Sequence, residues 1–488
     1  MTGIQDLKAL SQIVNNAVAA LEKTVSNAGV DLPSLDTPIA GEDDSATAAA
    51  LSSSAAIEAV DLLVAATAQI AALVRSPYAT VMEASSMSIM PAVLQFLVDV
   101  NVPEILRGAS LGGMSAENIA KAAQVDVQKL AHSLRFTATH HIFKEVSPNH
   151  FAHNRISSTL DTGAAVDSLK PENTLEKHLG SNGVAAMVKL QAQEVAVIAL
   201  KLTEHYTSPD SRFSRSPTNT VAARALGVLG EPGMNATLFG WLQRPENAQK
   251  AHLYGLAMAS AKYMSAASDA VLEGFDWASL KQGSVVVDVG GGVGNIMLPL
   301  YARYEGLKFV VQDRAQTIPM GEKLWNEKFA DALPSGRVTL AAHSFLEPQP
   351  VKDAAVFFLR NIMHNWPDAE ATAILKHLRD AAVPATRLVL NDRIIPYATP
   401  STGNASGQAV EKVPGVTLRA APAPLLTNFG RASANVYGLD IGAQMAFNGL
   451  ERTFEEFEEV TAAAGWKIER VNRVGGDICN VFVIAVPM

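Results

Sequence analysis

The sequence predicts an α/β chain in which a doubly wound, mostly parallel sheet follows a mainly helical half. Three observations carry this. From about Phe275 onward, short apolar runs alternate with helical patterns, the signature of parallel strands joined by crossover helices. A glycine-rich turn follows the first of those strands. Before Phe275, apolar residues recur at gaps of three and four, the spacing of helices with one buried face. The 488 residues predict two or three domains at roughly 100–200 residues each.

The chain reads in three blocks, 1–80, 81–270 and 271–488. In the first, Leu7, Leu10, Ile13, Val14, Val18, Leu21 and Val25 form one helical stripe that ends before Pro33. A second, alanine-rich helical pattern runs over 46–74. Two early helices cannot close a core alone, so this block is predicted to form a dimer interface. In the second block, helices are predicted over 115–123 and 126–141, with Ser115 and Asp126 as N-caps. Alternating pieces over 142–146 and 150–153 flank a turn at Pro148 and Asn149. Helix, turn, helix and hairpin is a winged-helix pattern, which serves either DNA contact or packing and dimerisation. Lys121, Lys129 and Arg135 face only Glu117 and Asp126 in charge count, a poor grip on phosphates, so the packing reading is preferred. His132, His140, His141, His150 and His153 crowd the same stretch without the spacing of a zinc enzyme, and are read as structural.

In the third block, strands are predicted over 284–289, 308–312, 338–341, 354–359 and 387–390. Helices are predicted over 295–304, 320–330 and 370–382, and an antiparallel edge hairpin over 466–473 and 480–486. The stretch 396–436 breaks the rhythm. Some forty residues without a clear period exceed an ordinary loop of ~4–6, and fit either a disordered insertion or a flap over the ligand end.

The sharpest motif is Val-Val-Asp-Val-Gly-Gly-Gly-Val-Gly-Asn at 286–295, on a strand-to-helix turn. A dinucleotide fingerprint would be G-x-G-x-x-G. Gly290 and Gly292 fit it, but Asn295 stands at the third position. The spacing is G-x-G-x-G, ending at Gly294, with Asp288 just ahead. That suits a nucleoside ligand without a pyrophosphate, S-adenosylmethionine above all. Asp313 ends the next strand, where a carboxylate can accept both ribose hydroxyls.

The run FFLRNIMHNWPDAEATAILKHL at 357–378 makes the resemblance specific. It is similar to plant caffeate-type O-methyltransferases and, more closely, to their fungal relatives, whose strand ends in Leu-Arg or Leu-Lys before His-Asp-Trp or His-Asn-Trp. GMSAENIAKAAQVDVQKLAHSLRF resembles the family's dimerisation winged helix, GWLQRPENA its interdomain signature, and NGLERTFEEFEEVTAAAGW its late Glu-Arg-Thr motif. APAPLLTNFG, in the insertion, resembles fungal members. The resemblance implies a Rossmann-like methyltransferase domain and a methyl transfer to a phenolic hydroxyl of an aromatic or polyketide-like molecule. His364 falls on the family's general base, flanked by Asp392 and Glu451. Asp288, Gly290, Gly292, Gly294, Asp313 and Arg360 fall on cofactor positions, as do Ser344 and Phe345. Many relatives carry Asp where this chain has Ser344, so adenine recognition is expected to differ. Asn365 is a smaller departure. Met258, Met445 and Asn448 are candidate acceptor contacts. With His364 as base, no metal is expected, and no magnesium-type acid cluster is evident. A homodimer is implied. The alternative is a non-methylating relative, a pericyclase or dehydratase that retains S-adenosylmethionine, although those relatives tend to replace the histidine.

Composition narrows the classes. The net charge of -9 argues against nucleic-acid binding. A single cysteine, Cys479, excludes an internal disulfide and multi-cysteine zinc sites. No apolar run approaches the ~18 residues of a membrane span, and the opening residues lack a signal-peptide core. A soluble cytoplasmic chain is expected.

Overall fold

The computed structural model describes residues 2–39, 45–109, 112–166, 175–258, 260, 270–399, 413–417, 419–474 and 480–488. Cys479 and residues 400–412 of the insertion lie outside them.

The helical half opens with Gly3–Asn27, which buries Leu10, Ala17, Leu21 and Val25. Val18, predicted on that stripe, is exposed, because Ala17 takes the seam. The facing helix is lined by small residues, Ala56, Ala59, Ala65 and Ala66, which let the two backbones approach. The predicted run over 46–74 is two helices, Ser45–Leu51 and Ser54–Val74. Ser53 breaks it by capping the second, its side chain accepting from the Ala56 N–H at 3.4 Å. The reading of no membrane-length run is corrected here. Ser54–Val74 is long and apolar enough to cross a membrane, since Glu58 and Asp61 are its only charges. Only 17% of its most apolar window is buried.

The helices Ala116–Ala123 and Val127–Thr139 form where predicted. Ser115 accepts from the Asn118 N–H at 3.3 Å and Asp126 from the Lys129 N–H at 2.9 Å. Strands β1 (Met114–Ser115), β2 (Lys144–Ser147) and β3 (His150–Ala152) make an antiparallel sheet in the order β1-β3-β2. β1, a two-residue strand, is too short to leave a periodic signal. His153 is structural. Its Nε2 lies 2.7 Å from the Pro103 carbonyl and its Nδ1 3.0 Å from Ser157 Oγ, and burial lowers its pKa.

The main sheet holds β4 (Val285–Val289), β5 (Lys308–Asp313), β6 (Val338–Ala342), β7 (Val356–Arg360), β8 (Arg387–Asp392), β9 (Trp466–Arg473) and β10 (Val481–Pro487). Their order is β6-β5-β4-β7-β8-β10-β9. β4 to β8 pair in parallel, and β10 runs antiparallel to both β8 and β9. Both faces are buried. Val286, Val356, Phe358 and Val389 join one apolar cluster, while Val287, Phe357, Leu359 and Leu388 join the other. That alternation explains why these strands read as unbroken apolar runs. Strand order reverses between β4 and β7, so their carboxyl ends open the crevice where such sheets bind ligands.

The described part of the insertion is packed. Val413 and Val416 join the sheet's core, and the Val471 N–H donates to the Pro414 carbonyl at 2.9 Å. Leu425 and Phe429 pack with Leu10, Ala65 and Ala66 of the two early helices. Gln69 Nε2 donates to the Pro424 carbonyl at 2.8 Å, and Arg419 pairs with Asp61 at 3.0 Å. This described stretch is therefore neither disordered nor a free flap. It ties the N-terminal helices to the main sheet.

Candidate active site

Two turns meet at the switch point. After β4, Gly290, Gly292 and Gly294 all take positive φ, 70°, 61° and 77°, which glycine adopts at little cost. A Cβ on Gly290 would meet Ile362 at 2.7 Å and Phe345 at 3.1 Å, and one on Gly294 would meet Trp325 at 2.7 Å. A Cβ on Gly292 would meet nothing within 4 Å, so this glycine faces open space. Beneath the turn, Asp288 is buried and its Oδ2 has no partner among the described residues. Burial pushes its carboxyl up to about 7, with the Asp313 charge adding and Arg360 opposing. Asp313 accepts from the Gly292 N–H and the Arg314 N–H, each at 2.8 Å. A carboxylate has about four acceptor sites, so two remain for hydroxyls.

These features fit S-adenosylmethionine: an open glycine cradle, a buried carboxylate with one oxygen that has no hydrogen-bond partner among the described residues, and an acid with spare acceptors. Arg360 ends β7, and burial lowers its pKa against the pull of Asp288. Phe345 packs edge-to-face on Trp366 at 5.7 Å, beside the turn. Ser344 is exposed, and its Oγ accepts from the Leu346 N–H at 3.3 Å in its own turn.

The second turn carries His364, in a short 3-10 segment Met363–Asn365. Its Nδ1 lies 3.0 Å from Glu451 Oε1 and 3.8 Å from Asp392 Oδ1. Both carboxylates are buried. Burial lowers the His364 pKa, but the Glu451 hydrogen bond and the two carboxylate charges outweigh it, leaving the pKa raised. Asp392 is pushed up to about 6, by burial first and the Glu451 charge second among the raising causes, with His364 opposing. Glu451 has no proton to give at neutral pH, so it favours the Nδ1–H tautomer. That leaves Nε2 bare to receive a proton.

The Asn-Gly-Leu-Glu-Arg-Thr run builds this turn from the far side. Asn448 takes positive φ and closes the Ala434–Phe447 helix, its Nδ2 donating to the carbonyls of Ser216 and Asn219 at 2.8 Å. A Cβ on Gly449 would fall 2.1 Å from the His364 carbonyl, so only glycine packs there. Arg452 is fully buried and donates to the Met363 and Trp366 carbonyls at 2.8 Å and to Asp368 at 2.8 Å. Thr453 then caps Phe454–Ala463 with Glu456 in a capping box.

A model of the O-methyltransferase domain matches residues 230–413. The 4-O-methyltransferase 1 of Phanerochaete chrysosporium is 35% identical over 488 residues, 99% of each chain. The chain belongs to the S-adenosylmethionine-dependent O-methyltransferases. OxaC, solved with sinefungin and meleagrin, has a TM-score of 0.61 at 19% identity and covers 98% of this methyltransferase and 99% of its own chain. A pericyclic reaction enzyme has a TM-score of 0.63 at 18% identity, over 89% of this chain and 94% of its own. Both likenesses are of fold.

The candidate acceptor residues of the methyltransferase sit in different surroundings. Met258 ends the Ala248–Met258 helix, 38% exposed. Met445 is buried in an apolar cluster with Ile198 and Val221. The Asn448 amide is engaged as above. A cleft of about 550 Å³ opens between residues 205–215 and the 448–450 turn, lined by Tyr206, Arg212, Gln444 and Asn448 but by neither methionine. Sequence reasoning missed Arg393, whose Nη1 lies 3.0 Å from Glu451 Oε1 and 3.2 Å from His364 Nδ1. A cation directly after the strand-ending Asp392 was the available signal. It also missed Arg452, hidden inside a motif read for its glutamate. The expectation of no metal is neither met nor overturned by the grouping that follows. His364, Asp392 and Glu451 offer ligand atoms all within 4.8 Å, brought together from distant parts of the chain. The Arg393 guanidinium already supplies a cation there.

Proposed function

We propose that this chain methylates a phenolic hydroxyl of an aromatic or polyketide-like molecule, with His364 as general base. The observation that carries this is His364 Nδ1 held 3.0 Å from buried Glu451, one turn away from the glycine cradle. S-adenosylmethionine, when bound, supplies an electrophilic methyl group on its sulfonium. His364 Nε2 takes the hydroxyl proton as the oxygen attacks. A phenol of pKa ~10 loses it readily only to a placed base. Glu451 fixes the ring's tautomer and, with Asp392, stabilises the imidazolium. Gly290, Gly292, Gly294, Asp288, Asp313 and Arg360 hold the cofactor, and the protein works mainly by positioning. No metal is required by this scheme.

The chain is read as cytoplasmic and as a homodimer, the pairing supported by the apolar exposure of Val60, Val64, Leu73, Val74, Tyr78 and Val81 on the early helices. A second reading, a non-methylating reaction with retained cofactor, draws on Ser344, which offers the adenine no charge. A screen of phenolic acceptors with methyl-labelled S-adenosylmethionine separates the two. Labelled product with S-adenosylhomocysteine release is expected, and His364→Ala is expected to lower kcat by roughly 10²–10⁴-fold. Product without S-adenosylhomocysteine release would replace the first reading by the second. Unchanged turnover in His364→Ala would remove the base assignment.

A further inference from the structure

We propose that Arg393 is a positioning residue that neutralises one of the two carboxylates beside His364, so that the imidazole takes its proton against one net negative charge rather than two. The inference rests on the reading of His364 as base and goes beyond it.

The geometry is specific. Arg393 follows Asp392 at the end of β8, and only 11% of its side chain is exposed. Its Nη1 donates to the same Glu451 Oε1 that receives the His364 Nδ1 proton, each at 3.0 Å. A guanidinium stays charged at any working pH and cannot accept a hydrogen bond. The same Nη1 stands 3.2 Å from Nδ1, so imidazolium formation places two cations side by side. Against His364 stand Glu451 from the loop before Phe454–Ala463, and Asp392 and Arg393 from the end of β8. Asp440, on Ala434–Phe447, lies behind and accepts the Glu451 N–H at 2.9 Å. The Arg452–Asp368 pair lies on the backbone side of the turn. With His364 neutral and both acids ionised, the nearest groups sum to one negative charge: Asp392 and Glu451 against Arg393. Arg360, at the end of β7, acts on Asp392 and Arg393 and not on the ring itself, so without the Arg393 guanidinium the ring would face two carboxylates with no cation against it and hold its proton more tightly. A base that binds its proton too well is spent at neutral pH.

The test is the pH dependence of kcat/KM, with the same titration followed on the His364 imidazole carbon by NMR, assigned against His364→Ala. Arg393→Gln keeps a donor to Glu451 and removes the charge. Its ascending limb and its NMR midpoint are expected to move up by roughly one pH unit, with the rate recovering at alkaline pH. Arg393→Met, a second neutral variant, is expected to move both in the same direction should the glutamine variant fold poorly. Arg393→Lys is expected to keep both close to the parent. A limb and midpoint unmoved or lowered in the neutral variants overturns the proposal, as does a lysine variant that behaves like them. These outcomes leave the base reading standing if His364→Ala still abolishes turnover. If His364→Ala is as active as the parent, the base reading fails instead.

Discussion

The turn after β4 and the turn after β7 lie side by side in the sheet, yet they draw on different lengths of chain. The glycine turn is built locally. Its residues, the acid beneath it and the acid that holds Gly292 all fall between Asp288 and Asp313. The His364 turn is assembled from afar. Asp392 and Arg393 reach it from the next strand, and Gly449, Glu451 and Arg452 from beyond the insertion. A cradle for a ligand needs backbone conformation, which neighbouring residues dictate. A tuned base needs charges at fixed distances, which only tertiary packing supplies.

Substitutions can break this contrast. The largest effect is the loss at His364, which should fall on turnover and leave cofactor affinity unchanged. Isothermal titration with S-adenosylhomocysteine checks it, and an equal fall in affinity would mean that the two turns are one unit. Next comes Arg452. Arg452→Met strands the Met363 and Trp366 carbonyls and leaves Asp368 only its exposed Arg215 partner, so a loss on the order of 3 kcal/mol is expected in a denaturant midpoint. A change within ~0.5 kcal/mol would show that the His364 turn holds itself. The smallest concerns Asp288. Its carboxyl is pushed up to about 7 by burial, so it is largely protonated below that pH. If it holds the cation of S-adenosylmethionine, affinity falls about tenfold per pH unit below 7 and levels off above. Asp288→Asn should flatten the dependence, and a parent with no dependence would move the cation elsewhere.

The same contrast explains what the sequence made legible. The strands of the main sheet could be read because burial on both faces makes each a continuous apolar run. Gly290 to Gly294 and Asp313 could be read because their spacing is local. His364, Asp392 and Glu451 could be named only through the family's motifs, since no spacing shows that they meet. Arg393 and Arg452 went unread because a buried arginine has no periodic signature and shows itself only by what it touches. The insertion misled for a related reason. Residues 413–417 and 419–433 have no period because they pack by single contacts, Leu425 on Leu10 and Gln69 on the Pro424 carbonyl. Val18 and the break at Ser53 show the limit of helical stripes, where an alanine seam shifts the buried face.

The central claim is that His364 is a base whose proton affinity is raised by Glu451. The most direct measurement is the pH profile of kcat/KM in the parent and in Glu451→Gln. Removing a negative neighbour must lower the imidazole pKa, so the ascending limb should shift to lower pH by roughly one to two units, with a reduced plateau. That is opposite in direction to the neutral Arg393 variants. An ascending limb that stays in place when Glu451 loses its charge would contradict the account.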